Sequence, residues 1–154
     1  MTTSLVIVSL FVTMLLANAW QVPPAGPAAN VEAPMDTVVV RIGAKTFVAT
    51  LRDNPTAKAF RALLPMSIVM KELNGNEKLF RLPSTLPTQE SVPPAIQAGD
   101  LMLYGSSTLV LFYESFSTPY SYTNIGRVDD PTGLKAALGS GDVTVAFEVA
   151  PQKR

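Results

Sequence analysis

The sequence of 154 residues contains no cysteine and no histidine. Without these side chains the chain forms no disulfide, uses no thiol nucleophile or imidazole base, and builds no zinc site of the cysteine and histidine type. Twelve basic residues balance twelve acidic residues, so the chain lacks the net positive charge of a dedicated nucleic-acid binder. We therefore expect no nucleic-acid partner.

Charged side chains are also absent from residues 1–31. The apolar run at 5–16 has twelve residues, fewer than the roughly 20 that a helix needs to cross a bilayer. An Ala-Asn-Ala sequence follows it, which is typical of a signal-peptide cleavage site. We predict export to the periplasm or the medium through a signal peptide of residues 1–19, cut after Ala19, with no stable membrane span after cleavage. An uncleaved amino-terminal anchor and a misassigned start codon are the alternatives.

The remaining chain is predicted to contain one domain. Residues 20–35 carry four prolines among small residues, which is typical of an extended linker. Residues 36–150 follow as a single domain, and 151–154 form a short tail. A domain of ~115 residues normally builds a sufficient core without disulfides.

Two short helices are predicted between strands. Asn54 and Pro55 have the residue types of an N-cap and a first helical position, and an apolar helical face follows them. Asp130 and Pro131 repeat this pattern near the other end of the chain, and Gly139 is suited to end the second helix.

A hairpin is predicted around an Asn-Gly-Asn turn, and charge indicates its register. A two-residue loop would set Glu72 opposite Glu77 and Lys71 opposite Lys78, and like charges in these positions repel. A three-residue loop at 74–76 pairs Glu72 with Lys78 instead. The same register pairs Met70 with Phe80 and Ile68 with Leu82.

The other strands are predicted from β-branched and alternating patterns. They are 37–42, 45–51, 101–104, 109–113, 120–128 and 143–149. The strands 101–104 and 109–113 are apolar on both faces, so we expect them at the centre of the sheet, covered on both sides. The proline-rich segment 83–99 is predicted as a long surface loop. The pattern favours a mainly β fold, a closed antiparallel β-barrel of about eight strands with two short helices, because a closed barrel leaves no edge strand.

Several motifs occur in a characteristic order along this predicted fold. They are LNGNEK at 73–78, GDLMLYG at 99–105, FYESFS at 112–117, YSYT at 120–123 and GR at 126–127. Together with the order of hairpin and helix, these motifs resemble the small bacterial cyclophilin-like proteins over about Val38 to Val149. The resemblance implies a cyclophilin-like closed barrel with helices over its open ends.

The resemblance does not extend to the site of classical cyclophilins. Those enzymes isomerise bonds before proline with an arginine set among aromatic, glutamine, tryptophan and histidine side chains. This chain has no histidine, and its one tryptophan, Trp20, lies in the predicted linker. No residue of that site can be matched here, and a fold alone does not define an activity.

Candidate binding residues are concentrated in one part of the chain. Six of the twelve aromatic residues, including all four tyrosines, lie between positions 104 and 122 among serines and threonines. Tyrosine combines apolar area with a polar tip, so this segment is suited to line a pocket or a peptide groove, although aromatic side chains also fill barrels as plain core. The candidate ligand-binding residues are Tyr104, Glu114, Phe116, Ser117, Tyr120, Tyr122 and Arg127.

Charged residues suggest two further arrangements. If their strands are neighbours, Glu114 and Arg127 are expected to form an ion pair at the mouth of the barrel, with a functional or a purely structural role. Glu72 and Glu77 have the chemistry of an acid and base pair, but the lysines beside them favour a solvated network across the hairpin.

No metal centre and no cofactor are predicted. The pair Asp129 and Asp130 lacks a third carboxylate in a calcium-binding spacing, and Asp130 is better explained as a helix cap. The glycines at 139 and 141 precede a strand rather than a helix and lack the spacing of a phosphate-binding loop.

These observations favour a non-covalent binder of a small molecule or of a peptide such as a proline-containing segment, rather than an enzyme. One alternative is a weak or atypical peptidyl-prolyl cis-trans isomerase in which Arg127 donates the hydrogen bond to the twisted amide. Another is a module that acts only with a partner protein.

Overall fold

A computed structural model describes residues 37–151 of the chain. The predicted signal peptide, the linker and all but the first residue of the tail lie outside these residues. The elements are β1 Thr37–Ile42, β2 Lys45–Leu51, α1 Pro55–Ala62, β3 Met66–Leu73, β4 Glu77–Arg81, β5 Asp100–Tyr104, β6 Thr108–Phe112, β7 Thr123–Val128, α2 Leu134–Leu138 and β8 Val143–Val149. Within this range no helix is both long and apolar enough to cross a bilayer.

The described residues form a closed barrel. Its eight strands follow one another in the order β1-β2-β7-β5-β6-β4-β3-β8, β8 pairs with β1, and all the pairs are antiparallel. Alternate residues of each strand face the interior, where Val40, Leu103, Leu111 and Phe147 are almost fully buried. The predicted mainly β barrel with two short helices is therefore confirmed.

The first helix forms as the sequence predicts. The Asn54 side chain accepts a hydrogen bond of 2.8 Å from the Ala57 backbone N–H, and Pro55 occupies the first position. Phe60 is fully buried and meets Phe147 edge to face, with ring centroids 5.6 Å apart. Helix α1 therefore packs against the end of the barrel at which β8 finishes.

The predicted cap of the second helix is wrong. Helix α2 begins at Leu134, and its N-cap is Gly133, which has a left-handed backbone with φ of 80°. The Asp130 side chain instead accepts a hydrogen bond of 3.0 Å from the Thr132 backbone N–H. Asp130 therefore closes a turn before the helix, and a glycine redirects the chain into α2 because it tolerates positive φ. Gly139 ends the helix as predicted.

The three-residue loop of the β3–β4 hairpin is confirmed. Glu72 pairs with Lys78, and Leu73 pairs with Glu77. Asn74 and Gly75 take positive φ values of 56° and 70°, the conformation that asparagine and glycine adopt most readily.

The hairpin ladder is shorter than predicted. It ends where Lys71 pairs with Leu79, so the predicted pairs of Met70 with Phe80 and of Ile68 with Leu82 are wrong. β4 continues instead along β6, with which all five of its residues pair.

The two central strands are covered on both sides, as predicted. Inside the barrel β5 and β6 contribute to the main core, and on the outside they carry a second cluster. That outer cluster consists of Ile96, Met102, Val110, Phe112 and Tyr122. The loop 83–99 contains none of the eight barrel strands. It is joined to the loop after β6, because the backbones of Ile96 and Phe116 exchange two hydrogen bonds. Two loops, 83–99 and 114–122, therefore cover the outer face.

The predicted strand 120–128 is too long at its beginning. β7 starts at Thr123, while Tyr122 forms only an isolated bridge with Ser91. The tyrosines before β7 therefore belong to the loop that covers the outer face.

Candidate functional site

A pocket of about 570 Å³ lies beside the second hydrophobic cluster. Strand residues form one side of it, and the loop that follows β6 forms the other. The strand side consists of Glu77, Leu79, Tyr104, Thr108 and Val110. The loop side includes Phe116, Ser117, Thr118, Tyr120 and Tyr122. The turn of the β3–β4 hairpin completes the lining.

Strand register explains why these residues meet. Across β4 and β6, Glu77 pairs with Phe112 and Leu79 pairs with Val110, so that each pair shares a face of the sheet. Phe112 and Val110 belong to the outer cluster, which places Glu77 and Leu79 on the outer face. Tyr104 pairs with Thr108 at the end of the same two central strands.

Tyrosine rings dominate the mouth of the pocket. The Tyr104 ring centroid lies 5.5 Å from that of Tyr122 and 6.3 Å from that of Tyr120, with interplanar angles of 52° and 88°. Tyr120 is 59% exposed and Tyr104 is 48% exposed, whereas Tyr122 is 7% exposed. Burial raises the pKa of the Tyr122 phenol, and the negative charge of Glu77 adds to this effect. The pocket thus has an exposed aromatic rim and a buried aromatic wall.

Five of the seven candidate binding residues line this pocket. They are Tyr104, Phe116, Ser117, Tyr120 and Tyr122. Their role in binding a ligand stays a prediction.

The predicted ion pair between Glu114 and Arg127 is wrong. Arg127 Nε donates a hydrogen bond of 2.6 Å to Asp100 Oδ1, and Glu114 accepts one from Lys135. The cause is the strand order, because β5 lies between β6 and β7 and supplies the nearly fully buried Asp100 as the cross-strand partner of Arg127. Neither Glu114 nor Arg127 lines the tyrosine-lined pocket.

Glu77 is the pocket residue that sequence reasoning missed. The residue is 8% exposed, and its carboxyl group makes no hydrogen bond or ion pair within residues 37–151. Its oxygens are not among the fully buried atoms that lack a partner, so they face the pocket. Burial raises the pKa of this carboxyl group above its usual range, and the charge of Glu72 raises it further. No local signal in the sequence could have found it, because the pocket forms only when β4 pairs with β6 and the loop after β6 covers their outer face.

The solvated network predicted for the hairpin is also wrong. Lys78 is fully buried, and its ammonium donates to Glu72 and to the carbonyls of Gly139 and Gly141, at 2.8 and 2.6 Å for the two carbonyls. Its Nζ lies 5.4 Å from the ring centroid of Tyr113. A buried ammonium requires such partners, and they bind β4 to the segment between α2 and β8.

Glu72 is the anionic member of this buried network. Desolvation is the largest single effect and raises its pKa, but hydrogen bonds from Lys78, Tyr113 and the Gly75 backbone together lower the pKa below its usual value. Burial and the bond to Glu72 raise the pKa of Tyr113 to about 12. Lys71 lies outside this network and binds Asp142 at an exposed position.

A second pocket, of about 720 Å³, lies beside this network and is lined in part by Glu72, Tyr113 and Lys135. Each of these three polar side chains already has a partner within the domain. A group of three or more side chains suited to metal binding does not occur between residues 37 and 151. The first pocket is the stronger candidate, because its lining includes the Glu77 carboxyl group, which has no partner within residues 37–151, and the tyrosine rings.

Comparison with known proteins supports the fold. A sequence model described as the cyclophilin-like family matches residues 40–148. The solution structure of a hypothetical protein from Archaeoglobus fulgidus is similar, with a TM-score of 0.57 and 19% sequence identity. The similarity covers 78% of this chain and 99% of that one. No curated protein matches the sequence.

Proposed function

The chain belongs to the cyclophilin-like family, and we propose that it binds a small molecule or a short peptide segment non-covalently in the tyrosine-lined pocket. The observation that carries this proposal is the pocket itself. It is concave, about 570 Å³ in volume, and its lining combines aromatic rings with hydroxyl groups. Apolar surface with a few polar groups is the usual composition of a ligand site.

The arrangement of one buried and two exposed tyrosines favours a binding role over simple core packing. Tyr122 packs at 5.5 Å between the rings of Phe112 and Tyr104, so its position is held by the outer cluster. Tyr104 and Tyr120 extend from this rigid base toward solvent. A rigid wall with an exposed rim can bind an aromatic or apolar group with little loss of side-chain entropy.

The isomerase alternative receives no support from the arrangement of Arg127. That hypothesis assigned the donor to Arg127, which binds Asp100 on β5 and lies outside the pocket. The residues that line the pocket include no arginine and no lysine. We therefore do not extend the proposal to proline isomerisation.

We propose in addition that the domain acts after export, on the basis of the apolar run at 5–16 and the Ala-Asn-Ala sequence before Trp20. Amino-terminal sequencing of the mature protein tests this step, and we expect it to begin at Trp20.

Binding is tested by nuclear magnetic resonance titration of the isotopically labelled full chain with a fragment library and with proline-containing peptides. We expect shift changes concentrated at Tyr104, Thr108 and residues 116–122. Tyr120→Ala should weaken binding, because it removes an exposed rim ring, whereas Val69→Ala, an exposed substitution on β3, should not. Shift changes confined to other surfaces, or equal binding by Tyr120→Ala, would refute the proposal.

A further inference from the structure

The floor of the tyrosine-lined pocket carries a carboxyl group that the domain itself does not neutralise. Glu77 is 8% exposed and receives no hydrogen bond and no cation from residues 37–151. The Glu77 oxygens are not among the fully buried atoms that lack a hydrogen-bond partner, so they face the pocket. A carboxylate that has no cation in the protein and lies in a concave, largely apolar pocket attracts a cation more strongly than one on the open surface.

The adjacent basic residue does not serve as that partner. Lys78 follows Glu77 in β4, but its side chain lies on the other face of the strand and donates to Glu72, Gly139 and Gly141. Lys78 therefore has all its partners within the fold, whereas the adjacent Glu77 has none there and faces the pocket.

Other features of the lining also suit a positive ligand. Tyr104 and Tyr120 present rings at 88° to each other above the floor, and aromatic faces attract cations. Asn76 lines the same pocket, and its buried Oδ1 has no hydrogen-bond donor among the described residues. The lining thus offers aromatic rings, the Glu77 carboxyl group and the Asn76 carbonyl oxygen as groups that can contact a cation.

We propose that the ligand carries a cationic nitrogen group, an alkylammonium or a guanidinium on an apolar stem, and that this group binds Glu77 beside the tyrosine rings. This inference rests on the proposed function, because it specifies the ligand of the same pocket. The apolar stem would lie against Leu79 and Val110, and the cation would reach the carboxylate at the floor. Such a group occurs in arginine and lysine side chains of peptides and in free amines.

The test is a titration of the full chain near neutral pH with four probes, followed by nuclear magnetic resonance. The probes are acetyl-arginine methylamide, its uncharged counterpart acetyl-citrulline methylamide, acetyl-lysine methylamide and n-butylammonium. We expect the arginine compound to bind at least about tenfold more tightly than the citrulline compound, because truncating a buried charge pair has effects of this size. Equal binding of these two compounds would overturn the inference.

Variants identify the carboxyl group that is responsible. Glu77→Gln keeps the shape of the side chain and should remove the preference for arginine over citrulline. Glu148→Gln makes the same charge change on β8, at an exposed residue bound to Arg41, and should leave the preference intact. A preference that survives Glu77→Gln would overturn the assignment. The comparison of probes on the unchanged protein remains decisive if Glu77→Gln does not fold.

The same titrations also distinguish the possible sources of the ligand, and they distinguish the cationic ligand from the proposed binding function itself. Acetyl-lysine methylamide carries the same cation as n-butylammonium on a peptide backbone and is the matched comparison. Binding of n-butylammonium as tight as that of this compound supports a free amine as the source, and tighter binding of the lysine compound supports a peptide. Shift changes at the tyrosines with equal affinity for charged and neutral probes would contradict the cationic ligand but would leave binding in this pocket supported. No shift with any cationic probe would likewise contradict the cationic ligand, while the fragment and peptide titration decides the proposed function.

Discussion

Glu77 and Lys78 are consecutive residues of β4, and their side chains lie on opposite faces of the barrel wall. Glu77 faces the outer pocket, and Lys78 is bound to Glu72 and to two backbone carbonyls. The side chains of a strand alternate, so these opposite charges do not meet. Lys78 has its partners within the fold, whereas Glu77 has no hydrogen-bond or ion-pair partner within residues 37–151.

Lys78→Met should destabilise the domain by about 3 kcal/mol, because it leaves the Glu72 carboxylate and two carbonyls without their buried cation. Urea denaturation measures the change. Lys71→Met removes an exposed pair and should have a much smaller effect. The loss should diminish in acid, since the lowered pKa of Glu72 means that its stabilisation is present above the ordinary glutamate pKa and disappears as pH falls through the folded-state value. A loss as small as that of Lys71→Met would contradict the buried network.

Glu77→Gln should stabilise the domain slightly at neutral pH, by less than about 1 kcal/mol, because it removes a partly desolvated charge that has no protein partner. The titratable groups that interact electrostatically with this carboxyl include Glu72 on β3 and the phenols of Tyr113 and Tyr122. Its raised pKa makes the folded state bind a proton more tightly, so wild-type stability from this group is present at low pH and is lost as pH rises through the folded-state pKa. The advantage of the variant should therefore vanish in acid. Thermal unfolding at several pH values measures it, and an advantage that grows in acid would contradict the assignment.

Tyr122→Ala should destabilise the domain by about 3 kcal/mol, because the ring is 7% exposed and packs against Phe112 and Tyr104. Tyr120→Ala should change stability by less than about 0.5 kcal/mol, since that ring is 59% exposed. Chemical denaturation measures the free energy of unfolding of both variants and so compares the buried wall of the pocket with its exposed rim. Similar losses for the two would show that the rim also holds the fold together.

Gly126→Ala should destabilise the domain by about 2 kcal/mol, because an added Cβ would lie 2.5 Å from the Thr50 carbonyl oxygen on the neighbouring strand. β2 and β7 approach closely at this point and close the barrel. Gly141→Ala is the matched control, since its Cβ would meet nothing within 4 Å. Thermal unfolding of the two variants compares them, and equal melting temperatures would show that β2 and β7 can separate at little cost.

Much of the candidate site could be predicted from residue type and local pattern. The concentration of aromatic and hydroxyl residues indicates the tyrosine-rich segment, and five of the seven candidate residues line one pocket. The charge of Arg127 was visible too, but its partner was not. Asp100 becomes its neighbour only because β5 lies between β6 and β7, and no local pattern encodes that order.

The sequence by itself determined the barrel class, the coverage of β5 and β6 on both faces, the cap of α1 at Asn54 and the three-residue hairpin loop. These features depend on alternation, turn chemistry and repulsion between residues that are close in the chain. Only the tertiary structure decided that Lys78 is buried among Glu72 and the carbonyls after α2, and that Glu77 is buried without a partner. The burial of a charged side chain depends on segments distant in sequence that cover it, and here those segments are the loop after β6 and the link from α2 to β8.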